Sequence, residues 1–168
     1  ATFTIGTSTY AMVTSDGDVG VQIIDISDPE NISATDAATD DDGEFTHLGG
    51  ATDVATFTIG SSTYAIVTSY SEDAVQIIDI SDPENISATD TATDDDGEFT
   101  HLGGAYGVAT FTIGSSTYAI VTGNADNAVQ IIDISDPENI SAKDTAVDDS
   151  VEAESEFTEL KGAYGVAT

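Results

Sequence analysis

The sequence predicts an all-β protein built from three repeated four-stranded units, and three observations carry that expectation. A segment beginning Ala-Thr-Phe-Thr-Ile-Gly starts at Ala1, Ala55 and Ala109, a period of 54 residues. Within each period, apolar residues alternate with polar ones or form short runs, and Gly-, Pro- and Asp-containing turns separate them. Nowhere does the roughly 3.6-residue apolar spacing of an amphipathic helix appear.

The second copy shows the elements in order. Ala55 to Ile59 alternates Thr with Phe57 and Ile59, which predicts a strand. Gly60-Ser61-Ser62 reads as a short hairpin turn leading into a second strand, Tyr64 to Thr68. Ser69 to Asp73 is a polar loop that differs from copy to copy. Val75 to Ile80 is almost continuously apolar, as for a strand covered on both faces. Asp82-Pro83-Glu84-Asn85 is a turn, because proline fixes φ and removes a ladder donor. Ile86 to Thr93, rich in Thr and Ala, suits an outer edge strand, and Asp94 to Gly104 is a long acidic connection. Gly103-Gly104-Ala105-Tyr106-Gly107 reads as permissive backbone where one unit hands over to the next.

The units are therefore expected at 1–54, 55–108 and 109–166, with a four-residue insertion between Asp148 and Glu156. Residues 167–168 begin a fourth copy. Copies one and two differ at only about ten positions. Four antiparallel strands per period suggest the blade of a β-propeller, with a sandwich or a solenoid as alternatives.

The pattern Tyr64 to Ser69 followed by Ala74 to Ile86 resembles the LVIVD-type propeller repeat of archaeal and bacterial surface and secreted proteins. Its most specific element is Ile-Ile-Asp-Ile-Ser-Asp-Pro, at Ile23 to Pro29, Ile77 to Pro83 and Ile131 to Pro137. The resemblance covers essentially all three copies. It implies a propeller and export to the cell surface or exterior, and it carries no common catalytic residues.

Three blades do not close a ring, since closed propellers start at about four. Two chains forming a six-bladed ring, or further repeats, would complete it. Self-association, as a homodimer or a higher assembly, is the expectation. No signal peptide is visible, and a start at Ala1 rather than Met leaves room for a removed leader or a larger precursor.

Composition narrows the function. There are 168 residues with 32 acidic side chains against two Lys or Arg, a formal net charge of −30. Such a field repels nucleic-acid phosphates and anionic lipid surfaces, so neither is an expected partner. It suits a salty, halophilic or marine, setting in which ions screen self-repulsion. With 39% hydrophobic residues the chain folds rather than staying disordered. Without cysteine there is no disulfide or thiolate metal site, and no apolar run is long enough to insert in a bilayer.

Four groups are candidate sites. Asn31, Asn85 and Asn139 each begin an Asn-Ile-Ser glycosylation acceptor, or else cap the preceding turn. Asp36, Asp40, Asp41, Asp42 and Glu44 surround Gly43; Asp90, Asp94, Asp95, Asp96 and Glu98 surround Gly97. These two sets offer the hard oxygens Ca2+ wants, about six to eight, although the spacing is not an EF-hand and a solvated charge run is the favoured alternative. The third copy, reading Asp148-Asp149-Ser150-Val151, lacks the glycine. Asp25, Asp79 and Asp133, inside the Ile-Ile-Asp-Ile-Ser run, are perturbed acids or turn caps. His47 and His101 stand alone as loop histidines, with Glu159 at that position in copy three.

Tyr64, Tyr70, Tyr106, Tyr118 and Tyr164 offer either a sugar-stacking surface or packing. No nucleophile elbow or phosphate loop is present. The sequence thus favours a non-enzymatic extracellular structural protein requiring no cofactor, for a surface layer, appendage or adhesive scaffold. The alternatives are a propeller binding carbohydrate or peptide through its variable loops, and a hydrolase or lyase. Because like charges crowd the loops, melting temperature is expected to rise with added salt or divalent cation; a flat or falling trend contradicts this.

Overall fold

A computed structural model describes residues 1–40, 42–94, 96–148 and 157–168. It contains three antiparallel four-stranded sheets and, among the described residues, no helix. Blade one comprises β1 (Thr2–Ile5), β2 (Ser8–Ser15), β3 (Gly20–Asp25) and β4 (Ser33–Thr39). Blade two comprises β5 (Ala51–Ile59), β6 (Ser62–Ser69), β7 (Ala74–Asp79) and β8 (Ser87–Thr93). Blade three comprises β9 (Ala105–Ile113), β10 (Ser116–Gly123), β11 (Ala128–Asp133) and β12 (Ser141–Val147). Strands pair in sequence order within each blade, giving an open, unclosed propeller-like arrangement.

Local chemistry sets each turn. The first hairpin of blade two is closed by Gly60-Ser61, with Gly60 at φ 63°, a left-handed conformation glycine adopts without a Cβ clash. The Asp-Pro-Glu-Asn corner closes through Asn85 N–H donating to Asp82 O at 3.0 Å. The first strand differs from the expectation. It begins at Ala51 and Ala105, four residues before the sequence copies begin, so Ala105-Tyr106-Gly107 is strand rather than hand-over. Register shifts between Ala51 and Asp53 on β5, and opposite Val121 to Gly123 on β10, interrupt the alternation there.

Packing is blade on blade. Each sheet has two apolar faces, because the alternating side chains are apolar on both sides. Phe3, Met12, Val21 and Ile23 of blade one form one core with Ala65, Val67, Ile78 and Ile80 of blade two. Phe57, Ile66, Val75 and Ile77 of blade two form the matching core with Ala119, Val121, Ile132 and Ile134 of blade three. The two interfaces are the same interface displaced by one repeat.

Threonine hydroxyls tie the innermost strands together in the same periodic way. Thr14 donates to Thr52 O (3.2 Å), Thr68 to Tyr106 O (2.8 Å) and Thr122 to Tyr164 O (3.3 Å). Thr110 donates to Thr56 O at 3.1 Å, and Thr168 donates to Thr110 O at 2.8 Å. Residues 163–168 thus lie against blade three as β9 lies against blade two. Gly107 admits this close approach, since a Cβ there would come within 2.4 Å of Tyr164 O.

One residue departs from its equivalents. Val19, Asp73 and Asn127 occupy the same loop position at φ 49°, 53° and 54°. Asn and Asp tolerate that region, whereas a β-branched side chain is strained by about 1–2 kcal/mol. Val19 is 42% exposed, so little packing opposes its replacement. Val19→Asn is expected to raise stability by about 1 kcal/mol, read as a higher urea midpoint with an unchanged denaturant slope.

Candidate functional site

The acidic loops are built into the blade interfaces. A register shift at Ile23/Ile24, repeated at Ile77/Ile78, leaves an extra residue in the outer strand beside Asp36 and Asp90. Asp36 Oδ2 accepts from Ile86 N–H of the next blade at 3.0 Å, and Asp90 Oδ2 accepts from Ile140 N–H at 2.8 Å. Glu44 Oε1 accepts from Ala88 N–H of the next blade at 3.0 Å. Asp40 and Asp94 fold their own loops back, accepting from Leu48 N–H (3.0 Å) and Leu102 N–H (2.9 Å). Asp42 and Asp96 form short bridges with Phe45 and Phe99, while Glu98 presents its backbone carbonyl to Gln130 Nε2.

Among the described residues, no three His, Asp or Glu side chains converge so as to hold a metal ion. Asp41 and Asp95 lie outside the described residues, as does the stretch 149–156 of the third loop.

The other candidates separate. Asp25, Asp79 and Asp133 each accept from the N–H of the serine two residues on, at 2.8, 2.8 and 3.0 Å. These side-chain-to-backbone bonds make the residues turn caps. Hydrogen bonds from Ser27 hold the Asp25 carboxyl below its ordinary value. Those from Ser135 do the same for Asp133, with Lys143 at 3.4 Å contributing. His47 and His101 are half-buried, each with Nδ1 against the preceding threonine hydroxyl at 2.9 and 2.8 Å. Asn31, Asn85 and Asn139 are exposed at equivalent corners of the three blades.

Tyr64 and Tyr118 stack on Phe57 and Phe111 within their own blades, with ring centroids 5.5 Å apart in both pairs. Tyr70, Tyr106 and Tyr164 instead converge. Tyr106 sits edge-to-face with Tyr70 at 6.2 Å and with Tyr164 at 4.9 Å. Together with Thr14, Asp16, Ala51, Thr52 and Asn124 they line a cavity of about 500 Å3 where all three blades meet. Sequence reasoning weighed all five tyrosines as one set. What it missed is that these positions fall into two equivalent sets, Asp16/Tyr70/Asn124 and Thr52/Tyr106/Tyr164, that face one another around this cavity.

One carboxylate is shifted upward. Burial, with Asp94 and Asp73 nearby, raises Asp126 above its ordinary value of 3.8 despite the hydrogen bond from Gly103 N–H at 2.8 Å.

Comparison with known structures fixes the class. A protein of unknown function from Desulfotomaculum acetoxidans aligns at TM-score 0.58 and 12% identity, over 83% of this chain and 38% of that one. A Lactobacillus plantarum protein aligns at TM-score 0.56 and 14% identity, over 88% and 40%. Both are β-propeller-like. An exo-β-1,3-galactanase from Phanerochaete chrysosporium, crystallised with β-1,3-galactotriose, aligns at TM-score 0.58 and 13% identity, over 84% and 36%. At these identities the likeness is one of fold, and the chain spans less than half the length of each. No family model matches the chain, and no curated protein matches it in sequence.

Asp126 supplies a pH signature. Its folded-state pKa lies above its unfolded value, so the folded protein holds that proton more tightly. The associated stability is full at low pH and declines as pH rises through the window just above 3.8. Asp126→Asn keeps an oxygen for Gly103 N–H and removes the disfavoured charge. Its melting temperature is expected to exceed that of the unaltered protein at pH 7, with the gain vanishing near pH 3.

Proposed function

We propose that the chain is a non-enzymatic structural module of the cell exterior, whose blades assemble face to face into a surface layer, appendage or adhesive scaffold. The carrying observation is that its two outward blade faces are the two halves of an interface the chain already builds twice. On blade one, Ala11, Val13, Ile24, Ile26 and Ile32 occupy the positions of Ala65, Val67, Ile78, Ile80 and Ile86. Val13 is 47% and Ile32 59% exposed, whereas Val67 and Val121 are fully buried. On blade three, Phe111, Ile120, Val129 and Ile131 are half-buried where Phe57, Ile66, Val75 and Ile77 are buried.

Burying one such Val or Ile stabilises by about 1.5–3 kcal/mol, so several per face favour occupation. The occupant with the matching shape is the blade-three face of a second copy, which in a head-to-tail pair closes six blades into a ring.

The external setting is supported by the likeness of the Ile77 to Pro83 run to LVIVD-type repeats and by the exposed Asn-Ile-Ser corners at Asn31, Asn85 and Asn139. The non-enzymatic reading is supported by the carboxylates' engagement with backbone N–H groups. Glycoside hydrolysis, the chemistry of the galactanase, takes two carboxylates roughly 5–9.5 Å apart across the sugar. Of the described residues lining the cavity, Asp16 alone carries a carboxylate. The tyrosine-lined cavity favours a second reading, ligand binding, which is compatible with the first because cavity and blade faces are different surfaces.

Light scattering on the purified chain tests assembly. A mass of at least twice 17.2 kDa is expected, with Val13→Glu returning a folded species near 17.2 kDa. A stable, folded 17.2 kDa species from the unaltered chain overturns the proposal.

A further inference from the structure

We propose that the cavity lined by Tyr70, Tyr106 and Tyr164 is a binding site for a neutral saccharide; this deepens the ligand-binding reading and is independent of assembly. Its volume, about 500 Å3, falls within the ~300–1,000 Å3 range of small-ligand sites. Three lines of observation converge on it.

The first is where the repeats diverge. Copies one and two differ at ten positions: 7, 12, 16–20, 37, 52 and 53. Six of these fall in the two segments bordering the cavity, the loop from Asp16 to Val19 and the start of β5 at Thr52 and Asp53. Between copies two and three the same loop, 69–73 against 123–127, differs at every one of its five positions. The blade cores scarcely change. A surface serving only to space identical blades has no reason to vary at one place in particular, whereas a recognition site needs different groups from different blades.

The second is the backbone. The register shifts on β5 and β9 leave Thr52, and Tyr106 with Gly107, outside the regular ladder with β6 and β10. A bulge of this kind re-aims a side chain, and here the residues released are cavity-lining ones. Thr52 and Tyr106 are then held by hydroxyl bonds, Thr52 Oγ1 to Tyr106 O at 2.9 Å and Thr68 Oγ1 to the same carbonyl at 2.8 Å. The lining is fixed before any ligand arrives, which lowers the cost of binding.

The third is chemistry. Tyr70 and Tyr164 are 45% and 62% exposed, so aromatic surface is held open to water beside Tyr106. Around the rings stand one carboxylate (Asp16), one amide (Asn124) and two hydroxyls (Thr14 and Thr52). A sugar ring has the matching duality, an apolar C–H face for an aromatic ring and an edge of hydroxyls for planar polar groups. A formal charge of −30 repels anionic ligands, so among sugars the neutral ones are the fitting class. Asn124 Nδ2 already donates to Ala163 O at 3.3 Å, which orients the amide.

Saturation-transfer NMR and calorimetry test this, using a panel of neutral glucose-, galactose- and mannose-containing trisaccharides. Sialylated and sulfated counterparts and tetramethylammonium serve as controls. Saturable binding of at least one neutral trisaccharide is expected. Tyr106→Ala should weaken it by about tenfold or more, and Tyr106→Phe should stay within about threefold. Asp16→Ala, on an exposed loop, should also weaken binding and serves if Tyr106→Ala does not fold. The proposal is overturned if no neutral trisaccharide binds, if only the anionic or ammonium controls bind, or if binding is unaltered in folded Tyr106→Ala or Asp16→Ala. A negative result here leaves the mass measured by light scattering, and so the assembly reading, unaffected.

Discussion

A four-stranded sheet with two apolar faces is not a stable object in water, and the rest of this structure depends on that constraint. Among the described residues no helix covers either face of a blade, and its strands are too few to curl into a barrel. The cover that its own sequence makes available is another blade. Met12, Val21 and Ile23 become interior only because Val67, Ile78 and Ile80 lie against them. Tertiary structure in this chain therefore arises one interface at a time. Gln76 and Gln130 show the same dependence: both are fully buried with Nε2 on the preceding blade's backbone, whereas Gln22, against which no described blade lies on that side, is exposed.

The acidity follows from the same requirement. Stacked sheets leave strand ends, corners and connecting loops with backbone N–H groups that the ladders do not use, and each needs an acceptor. Asp36, Asp40, Glu44, Asp90 and Asp94 all provide one, within a loop or across to the next blade. A charged acceptor makes a stronger hydrogen bond than a neutral one. The cost is like-charge repulsion among neighbours, visible at Asp126, where Asp94 and Asp73 add to the upward shift that burial causes.

Much of the fold was legible because it repeats. Three copies of one alternation pattern, with glycine and proline at fixed places, set strand number, order and turns. The start of the first strand was hidden for a physical reason. Residues 51–54 and 105–108 differ in sequence, carry a register shift and follow two glycines, so their alternation is broken at the point where the strand begins. The role of the acidic loops was hidden for another. Sequence spacing shows that Asp90 has acidic neighbours, but its partner is a backbone group 50 residues on, which composition does not mark. The cavity needed three dimensions, since Asp16, Tyr70, Asn124 and Tyr164 meet only after the blades stack.

The carboxylates that cross between blades hold main-chain N–H groups rather than particular side chains. An interface of that kind asks its neighbour for a backbone shape and an apolar face, and little else. Any blade of this design fits beside any other, so a duplicated unit is accommodated on arrival without compensating change in the units around it. Tolerance of that sort lets a chain lengthen by copying itself while the loops at one end of each copy remain free to diverge.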